Sequence, residues 1–253
     1  MTYNCLIFFI KQVKMEEQKL EQISNYVYCD SFLNSLNIET KLLTNPYYDY
    51  PYLIIEGFFS KELCNKIIDS VKEDKDAHDA KVKSKNYTNH INKDIRKTKI
   101  YKLQKEYEKI YNKLFKLHQP KIEKFFNLAL TTDTKLQVLE YTKGSFYSKH
   151  SDDSNMIIKN NNLVGFKTVL KNRKLTSIVF ATGCEDANTK ESFTGGELLF
   201  SYLYDKNKKN IKIKPKAGDM VIFLSNPYFS HEVLEVKSGY RLSLVQWHDA
   251  LVD

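Results

Sequence analysis

The segment YTKGSFYSKHSDDS, Tyr141 to Ser154, decides the reading of this chain, because it sets His150 two residues before Asp152. On an extended backbone alternate side chains point the same way, so this imidazole and carboxylate converge on a point where one metal ion can receive both. Alone, an H-x-D pattern is cheap in a chain with six histidines. It gains weight from a second segment, NPYFSHEVLEVKSGYRLSLVQW, Asn226 to Trp247, which supplies His231 and, ten residues later, Arg241.

Two imidazoles and one carboxylate that leave coordination positions open suit non-haem Fe(II), with zinc as the competing metal. Arg241 decides between them. A fixed-charge guanidinium fork on a barrel wall is a natural bidentate partner for the far carboxylate of a dicarboxylic acid, which hydrolytic zinc does not need. A loop at Lys237, Ser238 and Gly239, with Gly239 left-handed, would pair Glu235 with Arg241 and put His231 and Arg241 on one inward face. A shorter loop would throw Arg241 outward, so the metal reading calls for the longer turn.

Outward from these segments the hydrophobic period is that of strands. Leu136–Tyr141, Leu175–Ala181, Glu197–Tyr202, Ile211–Ile213, Asp219–Leu224, His231–Val236 and Tyr240–Trp247 are short apolar runs between Gly-, Asn-, Asp- and Pro-containing turns. Many short strands without helices between them predict a sandwich or barrel, read here as a jelly roll over 134–250. The first half reads differently. Tyr52–Glu56 is a strand, and Ser60 caps a helix with Leu63, Ile67, Ile68 and Val71 at helical spacing. Asp74–Lys99 reads as a loop or mobile segment. A second helix carries Leu103, Tyr107, Ile110, Tyr111, Leu114 and Phe115, ends before Pro120, and resumes in helical style over Lys121–Leu130. Met15 to about Asn34 reads as a loosely attached helix. The expected class is therefore α+β: an N-terminal extension over 1–50, partly helical, then one domain over 51–253 whose helical part, 57–130, supports the jelly roll.

Composition bounds the rest. Hydrophobic residues at 42% with only eight glycines and five prolines describe a chain that buries a core, which excludes collagen-like and wholly disordered classes. The apolar run Cys5–Ile10 is shorter than the roughly 18 residues of a membrane span and lacks a cleavage site, so no membrane role is expected. Cys5, Cys29, Cys64 and Cys184 form no C-x-x-C pair, and a reducing cytoplasm is the expected home. The formal charge of +8 is regional, because Ala80–Lys124 holds fourteen Lys/Arg against four acids. That excess reads either as a solvated lysine face or as a surface for an acidic partner.

With these motifs in order, the chain resembles the prolyl 4-hydroxylase branch of the Fe(II)- and 2-oxoglutarate-dependent dioxygenases. The likeness covers roughly Pro51 to His248. It rests on YLIIEGFFSKELC at Tyr52–Cys64, the His150, Asp152 and His231 motif, GGELLF at Gly195–Phe200, PKAGDMVIF at Pro215–Phe223 and GYRLSLVQW at Gly239–Trp247. The resemblance implies a double-stranded β-helix core in which His150, Asp152 and His231 ligate Fe(II) and Arg241 holds the distal carboxylate of 2-oxoglutarate. It places Tyr141 on the cosubstrate pocket and Trp247 six residues after the basic residue. It also implies O2 as co-reactant, ascorbate as an accessory reductant, and hydroxylation of a C–H bond coupled to release of succinate and CO2. The substrate it implies is a prolyl residue of a protein or peptide. The alternatives are a free amino acid or other small molecule and, outside enzymes, a non-catalytic jelly-roll binding module. Asp152 disfavours halogenation, which needs that coordination place for halide. Trp247 stands where nucleic-acid demethylases carry a second arginine, so a nucleic-acid substrate is disfavoured.

Two departures accompany the likeness. Phe180 replaces a tyrosine that touches the cosubstrate in relatives, a hydrogen bond that Ser243, two residues from Arg241, would take over. The passage from Asp152 to Thr176 is long and asparagine-rich, and 153–175 reads as a flap over the substrate instead of a buried strand. Of the remaining candidates, Tyr147 is either a pocket residue or core filling, and Arg173 either meets substrate at the mouth or is an ordinary surface arginine. Asp153 rivals Asp152 but should point away. His248 is expected to be surface or structural, as are His78, His90 and His118.

Overall fold

The structure, a computed structural model, describes residues 18–23, 26–35, 52–73, 78–79, 82–84, 87–90, 96–185 and 190–252. Two sheets face each other. The larger runs in the order Leu53–Ile55, Met220–Leu224, Leu175–Phe180, Val236–Val252, Gln137–Thr142, Lys99–Tyr101 and His78–Asp79. The smaller runs Asn210–Ile213, Leu198–Tyr204, His231–Val233, Phe146–His150 and Arg96–Lys97. This mostly antiparallel double-stranded β-helix with a few helices is the expected α+β class.

Period-two alternation explains why the larger sheet is buried on both faces. In Leu175–Phe180, Leu175 and Val179 join the apolar layer under the helices, while Ile178 and Phe180 point into the space between the sheets. Met220 and Ile222 divide from Val221 and Phe223 in the same way, and Leu242 and Leu244 from Val245. The inward set on Val236–Val252 therefore includes Arg241 and Ser243, and it is this face that builds the site.

The helices cover the outer face. Lys61–Glu73 begins where the Leu63 amide donates to Ser60 Oγ at 3.2 Å, and it buries Cys64, Ile67, Ile68 and Val71. Lys105–Phe126 is a single helix that buries Tyr111, Phe115 and Ile122. It runs through Pro120, against the expected stop. A proline withdraws one amide, but Ile122, fully buried two residues on, anchors the continuing turn to the core. Asn127, left-handed at φ 50°, ends the helix, and Leu128–Asp133 is a strand, not further helix.

Three more expectations are corrected. The Met15–Asn34 helix is, over its described residues, two strands, Leu20–Ile23 and Tyr26–Cys29, and a short helix, Asp30–Ser35. Val27 and Cys29 alternate inward, and Tyr26–Cys29 pairs with Asn162–Thr168, so tertiary pairing overrides the polar helical pattern. The described parts of Asp74–Lys99, all but Thr98, lie in strands His78–Asp79, Val82–Ser84, Tyr87–His90 and Arg96–Lys97 and at the start of Lys99–Tyr101. The 153–175 flap is an antiparallel hairpin, Ser154–Lys159 with Asn162–Thr168, turning at Asn160 and Asn161, both at positive φ. With the two N-terminal strands it forms a four-stranded sheet, and Phe166 is fully buried in it.

A Candidate iron and 2-oxo acid site

His150 and His231 lie directly opposite each other in antiparallel register, on Phe146–His150 and His231–Val233. Each ring is fixed by its own backbone: Nδ1 of His150 lies 2.9 Å from the Ser148 carbonyl and Nδ1 of His231 lies 2.9 Å from the Phe229 carbonyl. A carbonyl only accepts, so both Nδ1 atoms carry the proton and both Nε2 lone pairs are free to bind a cation. Asp152 follows in a bend just past the strand, not on it as alternation suggested. Its Oδ1 is 3.6 Å from His150 Nε2 and its Oδ2 is 3.9 Å from His231 Nε2. The three donor atoms lie within 4.8 Å of one another, a spacing that fits one ion.

Electrostatics prepares the same donor set. Burial alone would raise the Asp152 carboxyl, but His231, His150 and the Thr176 hydroxyl hold it well below the usual range. Burial, helped by neighbouring His150, pushes His231 down to about 4. Near neutral pH the set is an ionised carboxylate beside a neutral His231, which suits a divalent cation. Asp153 turns away as expected: its Oδ1 accepts from Ser151 and Ser154 at 3.1 and 2.6 Å. Burial pushes it up to about 6.

Arg241 lies across the interior on the other sheet. The expected hairpin at 237–239 is absent. The chain passes from the smaller sheet to the larger between Val233 and Val236, and Val236–Val252 is one long strand. The same apolar pattern serves a hairpin or a change of sheet, and the change puts His231 and Arg241 face to face instead of side by side. Gly239 is left-handed as expected, at φ 82°, but for another reason: a Cβ there would sit 2.1 Å from the Ser192 carbonyl oxygen of a neighbouring strand.

Only 1% of Arg241 is exposed. Its Nε donates to the Gly196 carbonyl at 2.9 Å and Nη1 to Ser243 Oγ at 3.1 Å. The guanidinium carbon stands 4.8 Å from the Tyr141 ring centre and 5.5 Å from that of Phe180. None of the described carboxylates pairs with it. A buried, fixed positive charge with neutral partners is a receptor for an anion.

One cavity of about 640 Å³ joins the two halves. His150, Asp152, His231, Arg241, Tyr141 and Ser243 all line it, with Leu139, Ile178, Leu198, Val233 and Val245 as apolar wall. Tyr147 lines it too. A break in register between Tyr147 and His150 lets residues three apart face the same side, and their rings stack at 3.7 Å. Arg173 is at the cavity, not on open surface: it donates to the Asp152 backbone carbonyl at 3.1 Å and lies 3.7 Å over the Trp247 ring. His248 is structural, buried among Asp133, Ser177 and Phe115. His118, in the long helix, has its ring 5.7 Å from that of Phe58, whereas the side chains of His78 and His90 lie outside the described residues.

Sequence reasoning missed three contributors. Thr176 donates to Asp152 Oδ2 at 2.6 Å, and its inward position two before Ile178 was the available signal. Gly196, at φ 63°, brings its carbonyl to Arg241, where a Cβ would lie 3.1 Å from Arg241 Cδ and 2.9 Å from Val236. The glycine pair in GGELLF was its signal. Arg96, hidden in a lysine-rich stretch, gave none.

Comparison with known proteins agrees with this geometry. Residues 136–249 match the 2OG-Fe(II) oxygenase superfamily. No curated protein matches the sequence. Among solved structures, the chain is similar to a prolyl-4-hydroxylase of Pseudomonas putida at 18% identity and TM-score 0.56, covering 80% of this chain and 95% of that one. It is similar to the collagen prolyl hydroxylase of Paramecium Bursaria Chlorella virus-1, solved as a 2OG complex, at 20% identity and TM-score 0.54, covering 81% and 99%. A third is a prolyl hydroxylase from Trichoplax adhaerens in complex with a hypoxia inducible factor oxygen degradation domain peptide fragment, at 18% identity and TM-score 0.57, covering 80% and 86%. Residues 136–249 therefore match the 2OG-Fe(II) oxygenase superfamily, and the double-stranded β-helix that contains them is the fold of these prolyl hydroxylase structures.

Proposed function

We propose that the protein hydroxylates a prolyl residue of a protein or peptide, with iron held by His150, Asp152 and His231 and the far carboxylate of 2-oxoglutarate held by Arg241. The observation that carries the site assignment is the shared cavity, which has a metal-ready donor set on one wall and an unpaired buried guanidinium on the other. Tyr141 supports the guanidinium from below and Ser243 fixes its Nη1, so the fork meets the cosubstrate already oriented.

When bound, iron and 2-oxoglutarate supply the oxidation: O2 and the 2-oxo acid are consumed, succinate and CO2 leave, and one C–H bond of the substrate becomes C–OH. The chain supplies position and dryness. The Ser148 and Phe229 carbonyls hold the imidazoles in their binding tautomer, Thr176 holds one Asp152 oxygen, and the apolar wall excludes water. The prolyl reading is supported by the prolyl hydroxylase structures to which the fold is similar, one of them holding a peptide. No described helix is long and apolar enough to cross a membrane, and the described cysteines, Cys29, Cys64 and Cys184, are buried free thiols, which supports a proposed cytoplasmic home.

Anaerobic loading with Fe(II) and 2-oxoglutarate, then admission of O2 with proline-containing peptides, tests this. Succinate release matched by gain of one oxygen on proline is the expected result. Oxygen gained by a free amino acid and by no peptide would replace the prolyl reading.

A further inference from the structure

Four cations line the cavity, Arg96, Lys149, Arg173 and Arg241, and the one carboxylate among the lining residues is Asp152, a proposed metal ligand. Given the reading above, on which this inference rests, Arg241 belongs to the cosubstrate. The other three share an arrangement. Arg96 stands 4.4 Å over the Tyr147 ring, Lys149 5.4 Å over Tyr202 and Arg173 3.7 Å over Trp247. Each is held in place by an aromatic face, and none pairs with a described carboxylate. Three like charges around one mouth repel each other unless a ligand of opposite sign completes them.

Arg96 is the most committed of the three. It is 8% exposed, yet its Nε has no hydrogen-bond partner. It lies opposite Tyr147 in strand register, and the Tyr147 ring stacks on His150, so the guanidinium stands one ring away from the metal-binding wall. A buried guanidinium with an idle donor is costly unless something fills it, and a carboxylate matches its fork. It belongs to the basic stretch Ala80–Lys124, so part of that regional charge faces the cavity instead of solvent.

We propose that the substrate presents a carboxylate to Arg96, either an acidic side chain near the hydroxylated residue of a peptide or the carboxylate of a free amino acid. A polyphosphate such as nucleic acid is the less fitting anion, because these cations surround one cavity and do not track a groove.

The test measures anisotropy of labelled peptides on the full chain, loaded anaerobically with Fe(II) and saturating 2-oxoglutarate. End-blocked, proline-centred peptides flanked by Asp and Glu are compared with the same peptides flanked by Asn and Gln, and free amino acids are compared with their amides as competitors. The acidic set should bind at least about tenfold more tightly, as expected for hydrogen bonds to a charged group, and added salt should shrink the advantage. Arg96→Gln should remove most of the preference and Arg96→Lys should keep part of it, with circular dichroism confirming the fold of each. A preference for free acids over amides without any peptide preference assigns the carboxylate to a small molecule. A preference that persists when alanine replaces proline keeps the inference and removes the prolyl reading. Equal affinity or no binding across both comparisons overturns the inference, as does tighter binding of a single-stranded oligonucleotide than of any acidic peptide. An undiminished preference in folded Arg96→Gln overturns the role of Arg96.

Discussion

The Thr176 hydroxyl lies 2.6 Å from Oδ2 of Asp152 and 2.8 Å from the Ser225 hydroxyl, so one metal-facing carboxylate oxygen is tied to a strand of the larger sheet. Replacing it with an isosteric apolar side chain leaves that oxygen free to rotate. Thr176→Val should weaken Fe(II) or Co(II) affinity about tenfold or more with little change in thermal stability. Metal titration with spectroscopic detection checks this. An unchanged affinity would show that Asp152 is held by the metal alone.

Arg241 has neutral partners, and cosubstrate affinity should report its loss directly. Arg241→Ala should raise the 2-oxoglutarate requirement at least about tenfold while metal binding persists, and Arg241→Lys should fall between, keeping charge without the fork. Gly196→Ala should act in the same direction from a distance, because the new methyl crowds Arg241 Cδ and Val236. Competition by a non-reactive 2-oxo acid analogue separates binding from turnover for all three.

Metal-free stability should carry two opposed pH effects. Burial holds folded His231 at about 4 against 6.5 when exposed, so between those values the unfolded chain binds a proton the folded protein lacks and the fold weakens as pH falls. Burial holds folded Asp153 at about 6 against 3.8, so between those values the folded protein binds the extra proton and the fold strengthens as pH falls. Each effect is worth roughly 3 kcal/mol and they largely cancel. His231→Gln should therefore gain stability on acidification from near pH 6 to near pH 4 and Asp153→Asn should lose it, relative to wild type. Urea unfolding at the two pH values measures this, and parallel behaviour of the two variants would contradict it.

Asp133, His248 and Ser177 form a chain of hydrogen bonds at 2.6 and 2.8 Å, continued by Tyr111 at 3.0 Å. The spacing is that of a hydrolytic triad, but Ser177 and His248 are fully buried and neither lines the cavity that holds the metal-ready donor set, so a substrate there does not meet them. This network is a fastener between the long helix and the sheet. His248→Ala should cost about 2–4 kcal/mol of stability by leaving Ser177 and Tyr111 under-bonded. Turnover per folded molecule should be preserved. Unfolding curves and active-fraction titration distinguish this outcome from a catalytic loss.

The metal motif and Arg241 were legible because their residue types are demanding and strand alternation is rigid. Once Leu175–Phe180 is a strand, its odd residues go to the helices and its even residues to the site. What stayed illegible depended on partners far away in sequence. Tyr26–Cys29 is a strand because Asn162–Thr168 lies beside it, and nothing local says so. Pro120 reads as a helix end because the hold of Ile122 on the core is not a local property. The crossing between Val233 and Val236 has the same apolar pattern as a hairpin. Register alone tells them apart, and register is set by the whole sheet.

The strand pairing between the N-terminal segment and the inserted hairpin bears on how the protein can be divided. At Gly165 a side chain would lie 2.7 Å from the Val27 carbonyl oxygen, so the two strands meet with no room to spare. A fragment begun at residue 51 would strip Tyr26–Cys29 from Asn162–Thr168 and leave a row of amides and carbonyls open beside Phe166. Such a fragment would keep every residue proposed to hold metal or cosubstrate and still be prone to join edge to edge with its own copies. Recombinant work on the oxygenase domain alone would then face a solubility problem that its catalytic centre does nothing to announce.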